Sequence, residues 1–266
     1  MANGGKVVNM AYSKGQLTGI LGRENIMVGD ILLEGQDFIE GTIPDENLKE
    51  VVFDGIMGLG FPRQAVEGTT TVWENMVNKR LIPYNIFSFL LRSYNGDGNK
   101  EDPNGGYIVF GGWDPTHFKG QHIYVPVMTR PWKDFWKFKM SRIYVGRTKT
   151  EICVEECTAI LDTGNTDILG PKKDINEINE AIGARNGIVS CSKVEKLPTI
   201  AFTIGGNLLP LGSRDYIAKD GGICFSRFAV ISGKRWVLGE AFMRPYHTVF
   251  DYQDAKNPRI GFASAA

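Results

Sequence analysis

The sequence predicts an all-β protein, and three observations predict it. Glycine makes up 32 of 266 residues, about 12% against an ordinary share near 7%. Short apolar runs recur between clusters of turn-forming residues, and only two stretches carry helical periodicity. Aromatic residues, at 11%, suit half-buried strands. With 42% hydrophobic residues the chain can bury a sizeable core, which excludes a wholly disordered protein. Thirty basic residues against thirty acidic ones give zero formal charge, so nucleic acid is not an expected partner. No apolar run reaches the ~18 residues of a membrane span, so no membrane partner is expected. Residues 1–6 lack the apolar segment of a signal peptide.

Taken in order, Val7-Val8, Ile20-Leu21, Ile26-Met27-Val28 and Ile31-Leu32-Leu33 read as strands. So do residues 86–91, 107–110, 122–125, 159–161, 200–204 and 248–250. Gly29-Asp30, residues 95–98 and 104–106, Gly111-Gly112 and the hairpin signal Gly205-Gly206-Asn207 punctuate them. Apolar residues at 72, 73, 76 and 77 behind Thr71 predict a short capped helix. Residues 171–182 predict a second, with Ile175, Ile178, Ala181 and Ile182 on one stripe and Gly183 as the stop. The polar stretch 93–106 reads as a surface loop. Arg130-Pro131, within a break at 129–134, predicts a lobe boundary that divides 1–130 from 131–266.

Four cysteines, Cys153, Cys157, Cys191 and Cys224, allow three disulfide pairings, with buried thiols and a zinc site as rivals. Zinc is disfavoured because the second pair is far from a ligand clip and no histidine lies near any cysteine. No Gly-x-Ser-x-Gly turn is present, and His117, His122 and His247 show no metalloprotease spacing. Gly58-Leu59-Gly60 is too short to cradle a phosphate. Neither a cofactor nor a metal ion is expected. One segment does carry chemistry. In Ala159-Ile160-Leu161-Asp162-Thr163-Gly164-Asn165-Thr166, a carboxylate follows an apolar strand directly and sits in a glycine-permitted turn among hydroxyls. A lone Asp-Thr-Gly is more often a turn cap, so context has to decide.

That context resembles the pepsin-like, cathepsin D-like aspartic endopeptidases, across the whole chain and in order. Residues 53–62 (Phe-Asp-Gly-Ile-Met-Gly-Leu-Gly-Phe-Pro) are similar to the family's first-lobe signature, and residues 108–118 to its mid-chain strand and turn. Cys153-x3-Cys157 followed by Asp162-Thr163-Gly164 and ending in Gly170-Pro171 resembles the second-lobe catalytic segment. Residues 237–246 and 248–251 match the closing signature. The resemblance implies a bilobal all-β fold, a polypeptide substrate in the cleft between lobes, and disulfides Cys153–Cys157 and Cys191–Cys224. It implies Asp162 as a catalytic acid, with Thr163, Gly164, Asn165 and Thr166 lining the substrate site. Residues 8–19 resemble the flap hairpin, with Tyr12 as the flap tyrosine. Ile56-Met57-Gly58 and Val237-Leu238-Gly239 are expected to flank two catalytic turns. Pepstatin-like inhibitors and a secreted, lysosomal or vacuolar lumen are the implied partners and location.

The implied chemistry needs two carboxylates, and the chain carries one Asp-Thr-Gly. In the family the first acid lies upstream of the flap, where only eleven residues precede Tyr12. The expectation is therefore a truncated first lobe, a complete second lobe, and no activity from these residues alone. Asp54 and Asp251 sit where the family uses structural residues. Departures from the family pattern are Asn165 in place of a hydroxyl residue, whose amide could donate to the carboxylate, and Asp167 at a normally apolar position. Glu240 stands for Asp after Leu-Gly, and Ser13 and Lys14 alter the flap tip. These departures leave open a catalytically inactive pepsin-like binding protein. A homodimer lending two Asp162 carboxylates is a third reading, which the partial first lobe would obstruct.

Overall fold

The computed structural model describes residues 5–12, 15–44, 53–92, 105–131 and 134–266. Ser13 and Lys14, the expected flap tip, and most of the 93–106 loop fall outside the described residues. The chain divides into two compact units. The first holds residues 1–83 and 131–135, the second 84–130 and 136–266.

Unit one is built on an antiparallel sheet of β1 (Val7–Tyr12), β2 (Gly15–Val28) and β3 (Ile31–Pro44), in that order. The separate runs at 20–21 and 26–28 belong to one strand, because pairing with β3 carries through Gly22-Arg23-Glu24 and only shifts register near Asn25. The bulge lets the Asn25 side chain accept from Gly35 N–H at 2.8 Å. Helix α1 (Val72–Asn78) starts as expected behind Thr71. The Thr71 hydroxyl accepts from Glu74 N–H, and the Glu74 carboxylate accepts from Thr71 N–H. α1 buries Val72, Trp73 and Met76 and also the polar Asn75. Asn75 is satisfied: its Nδ2 donates to Gln36 Oε1 at 3.0 Å, and Gln36 Nε2 donates to Thr70 O at 2.7 Å. Asp37 accepts from Thr70 N–H and from Arg23 Nε, so the whole buried polar group is paired.

Unit two contains β4 (Ile86–Leu91), β5 (Gly106–Phe110), β6 (Phe118–Pro126), β7 (Lys137–Val145), β8 (Thr148–Lys149), β9 (Cys157–Leu161) and β10 (Ile168–Gly170). Helix α2 (Lys172–Ala181) follows, then β11 (Ile188–Val189), β12 (Ile200–Ile204) and β13 (Asn207–Leu211). After a single turn, α3 (Ser213–Tyr216), come β14 (Ile217–Asp220), β15 (Ile223–Ser226), β16 (Phe228–Val230) and β17 (Trp236–Leu238). A second single turn, α4 (Glu240–Met243), leads to β18 (Tyr246–Asp251) and β19 (Arg259–Ala265). The strands make an eight-stranded sheet in the order β13-β12-β7-β9-β17-β10-β16, with β8 paired to β7. They also make a five-stranded sheet, β5-β4-β18-β19-β6, and a small β11-β15-β14 sheet.

Residues 84–130, grouped with the first lobe in the sequence reading, contribute strands that pair with the C-terminal ones: β4 with β18, and β6 with β19. Pairing across more than a hundred residues leaves no local trace. Phe87 stacks on Phe250 at 4.6 Å, and Trp136 meets both rings edge-on, each contact adding about 1 kcal/mol beyond area burial.

Candidate active site

The Asp-Thr-Gly turn grows out of the middle of the large sheet. β9 runs antiparallel to β7 and parallel to β17, with Leu161 opposite Leu238, and Ala159, Ile160 and Leu161 are all buried. Asp162 therefore leaves a strand held on both sides, and its own N–H still bonds Leu238 O at 3.1 Å. The turn closes through Asn165 N–H to Asp162 O at 3.3 Å, while Gly164 N–H donates to the Asp162 carboxylate at 3.0 Å. Asp162 and Thr163 are half-buried, and Gly164 and Thr166 are exposed. The structure thus brings Asp162, Thr163, Gly164, Asn165 and Thr166 into one short turn.

A second element locks that turn. The first N–H groups of a helix have no partner within the helix. In α4 they are used up by the loop: Gly239 N–H bonds Asp167 O (3.1 Å), Glu240 N–H bonds Asn165 O (2.8 Å) and Ala241 N–H bonds Thr166 O (3.2 Å). The approach is so close that a Cβ placed on Gly239 would lie 2.1 Å from Asn165 O. Gly170 has a similar reason to be glycine, since a Cβ there would sit 2.8 Å from the Trp236 ring. Val237-Leu238-Gly239 therefore flanks the turn as expected. Its counterpart in unit one does not look the same: Ile56 and Met57 are 54% and 43% exposed, and residues 53–61 form neither strand nor helix.

Two expectations about the turn change. The Asn165 side chain is buried, but its Nδ2 donates to Asp167 O at 2.6 Å, not to the Asp162 carboxylate, which is served by Gly164 N–H. A side chain that points along the turn reaches the carbonyl two residues on more easily than a carboxylate three residues back. Asp167 is not an unpaired buried charge: Arg227 Nη1 lies 3.1 Å from its Oδ1. Glu240 is likewise matched, by Arg244 Nη2 at 2.8 Å one helical turn later. Neither arginine stands out in the sequence. The one signal for Arg227 is that an acid among buried strands needs a cation somewhere.

The Asp167–Arg227 pair supports a measurable prediction. Both side chains are about three-quarters buried, so Arg227→Met is expected to destabilise unit two by about 2 kcal/mol, less than for a fully enclosed pair. The double variant Asp167→Leu/Arg227→Met should recover most of that loss. Urea titrations of all four members of the cycle check it, and additive single losses would show that the two groups do not interact.

Tyr12 closes β1 opposite Gly15, half-buried in unit one, and burial raises its phenol above the ordinary tyrosine range. Asp54 is exposed. Asp251 is buried and bonds Arg259 Nε at 2.8 Å and Gln253 N–H at 3.0 Å, a structural arrangement. The disulfides Cys153–Cys157 and Cys191–Cys224 are both present. Among the described residues, no group of three His, Cys, Asp or Glu side chains could hold a metal ion, and no helix is long and apolar enough to cross a membrane.

A strand-borne Asp-Thr-Gly locked by a Leu-Gly turn is an arrangement that known proteins share. The model of the eukaryotic aspartyl protease family matches residues 1–265. The chain belongs to that family. It is 34% identical to embryonic pepsinogen of Gallus gallus over 98% of the chain and 66% of that protein. It is 36% identical to cathepsin E of Rattus norvegicus, over 98% of the chain and 66% of the relative. Aspartic proteinase A3 of Arabidopsis thaliana is 31% identical over 98% of the chain and 72% of its own length. The chain spans about two thirds of the length of the pepsinogen and cathepsin relatives. An all-β, pepsin-like fold is therefore what these residues form.

Proposed function

We propose that the chain is the larger part of an aspartic-type endopeptidase that hydrolyses peptide bonds with a water activated between two aspartates. Asp162 is one of the two. The observation that carries this reading is the double restraint on the Asp162 turn, from β9 behind it and from three α4 amides beside it. A group that moves protons has to be held within a fraction of an ångström, and a merely decorative Asp needs no such frame. Two carboxylates that face each other cannot both ionise easily, so they share one proton. One then acts as base toward the water, and the other donates to the scissile carbonyl. Thr163, Gly164 and Thr166 would meet an extended polypeptide beside Asp162, and Tyr12 would cover it from the flap. Pepstatin-like inhibitors would bind the same groups. The second acid is proposed to lie on a segment outside these 266 residues, with a truncated first lobe as the consequence. The exposed Ile56-Met57 stretch supports that reading. Two disulfides support a secreted or lysosomal or vacuolar lumen.

A second reading, a catalytically inactive pepsin-like binding protein, draws on one observation: the Asn165 amide is committed to Asp167 O and leaves the carboxylate without the usual side-chain donor. The two readings part on the full-length reading frame. An upstream Asp-Thr-Gly or Asp-Ser-Gly supports the protease, and its absence supports the binding protein. For the present chain the expected result is no turnover of denatured globin at acid pH. Pepstatin-sensitive turnover that disappears in Asp162→Ala would show that a second acid is already here.

A further inference from the structure

The chain has three histidines, and unit two gathers all of them at one end of its five-stranded sheet. His247 lies on β18, wholly buried, and its Nδ1 is 2.9 Å from Nε2 of His122 on β6. A bond between two ring nitrogens needs one proton between them: one ring donates and the other accepts. Doubly charged rings would set two N–H groups against each other, so this contact exists only while at least one ring is neutral. His117 stands 6.2 Å from His247, ring to ring. The Phe118 ring packs against both bonded imidazoles, its centroid 5.0 Å from that of His247 and 4.3 Å from that of His122. The buried nitrogens His117 Nδ1 and His247 Nε2 have no hydrogen-bond partner among the described residues, so an added proton there meets no acceptor.

Little nearby charge offsets this. Asp114 Oδ2 is 3.7 Å from His117 Nε2, but its Oδ1 is engaged by the N–H and hydroxyl of Thr116. Ala266 N–H bonds His117 O at 3.1 Å, which ties the end of β19 to the same place. Lys119 and Tyr124 are the other ionisable groups of β6. Arg92 lies over the Tyr107 ring that stacks on His117. At the far end of β18 and β19, Asp251 and Arg259 pair with each other. We infer that the three histidines form an acid-released latch, which fastens the segment from Asp114 to Tyr124 onto β18 and β19 near neutral pH and lets it go on acidification. The latch does not depend on the proposed proteolysis.

The sign follows from linkage. Burial first, then His122 and His117, hold His247 at about 4 instead of 6.5, against a weaker pull from Asp114, and burial also lowers His122. A histidine depressed in the folded state takes its proton more readily when unfolded. Its contribution is complete above about pH 6.5 and is lost as the pH falls toward about 4, a change of about 300-fold in the folding equilibrium for His247.

The test uses the whole 266-residue chain. Ring nitrogen signals, urea stability and amide protection would be followed from about pH 7.5 to about pH 4.5. The expected outcome is a His247 ring still neutral near pH 5 and an acid loss of stability that His247→Gln reduces by roughly tenfold or more and His122→Gln reduces in the same direction. Amides of residues 118–124 should lose protection before those of β4. The latch is overturned if His247 titrates near its ordinary value in the folded chain, or if both variants keep the wild-type pH dependence. Even loss of protection across β4 and β18 would also overturn it, pointing to plain acid unfolding. Should His247→Gln not fold, His122→Gln and the wild-type ring titration decide.

Discussion

Gly239→Ala is expected to destabilise unit two by roughly 3 kcal/mol and to disorder the Asp162 turn with it. The added methyl would meet Asn165 O at 2.1 Å and Asp167 O at 2.6 Å, both backbone atoms. Backbone cannot step aside as a flexible side chain would, and these carbonyls are the ones that accept Glu240 and Gly239 N–H. Relieving the clash therefore breaks the hydrogen bonds that hold the turn. Gly58, the glycine of the matching triplet in unit one, is the internal control. Among the described residues nothing lies within 4 Å of a Cβ there, so Gly58→Ala should fall within about 0.5 kcal/mol of wild type. Urea denaturation of both variants measures the contrast, and amide exchange at Asn165 and Glu240 reports the turn itself. Equal stability of the two variants would mean that the close packing at Gly239 is not what fixes the site.

Much of this fold is legible in the sequence, and the rest is illegible for a physical reason. The strand runs 86–91 and 200–204 and the helix behind Thr71 emerge with their expected bounds or within a residue, because alternation, periodicity and capping are local signals. The Asp162 turn was legible for the same reason: a carboxylate, a hydroxyl and a glycine at successive positions after an apolar strand describe their own geometry. Its lock was legible only as a motif. That Gly239, Glu240 and Ala241 donate to carbonyls 165–167 is a meeting of segments more than seventy residues apart, which no window along the chain can reveal. Arg227 illustrates the point best. Asp167 announces that it needs a partner, but a chain with thirty basic residues does not say which one.

The histidines mark the opposite failure. Each looks ordinary along the sequence, with no spacing that suggests a site, and each would be assigned to surface or core by default. Only the pairing of β18 with β19, and of β19 with β6, puts His247 against His122. Long-range pairing also moved residues 84–130 into unit two. Both features share one cause: the five-stranded sheet joins strands from residues 86–126 to strands from residues 246–265, so its composition and its contacts are invisible to local patterning.

Removing the Cys191–Cys224 disulfide, by Cys→Ala at both positions, is expected to cost about 4 kcal/mol, and removing Cys153–Cys157 about 2 kcal/mol. The difference comes from chain entropy. A cross-link restricts the unfolded chain by an amount that grows with the logarithm of the loop it closes, and the two pairs are separated by 33 and 4 residues. The native state offers an independent reason for the same order. Cys224 is buried on β15 opposite Val189 of β11, so its bridge to Cys191 anchors a two-residue strand that has little else to hold it. The short Cys153–Cys157 loop is tied to the sheet at one end by β9 in any case. Urea midpoints of the two double variants give the comparison directly, with unchanged slopes needed to show that the unfolded state remains comparable. If loss of the short bridge proves the more damaging, the stabilisation must come from native contacts around residues 153–157 and not from loop closure. The Asp162 turn would then depend on that knot, since β9 runs from Cys157 to the residue before the carboxylate.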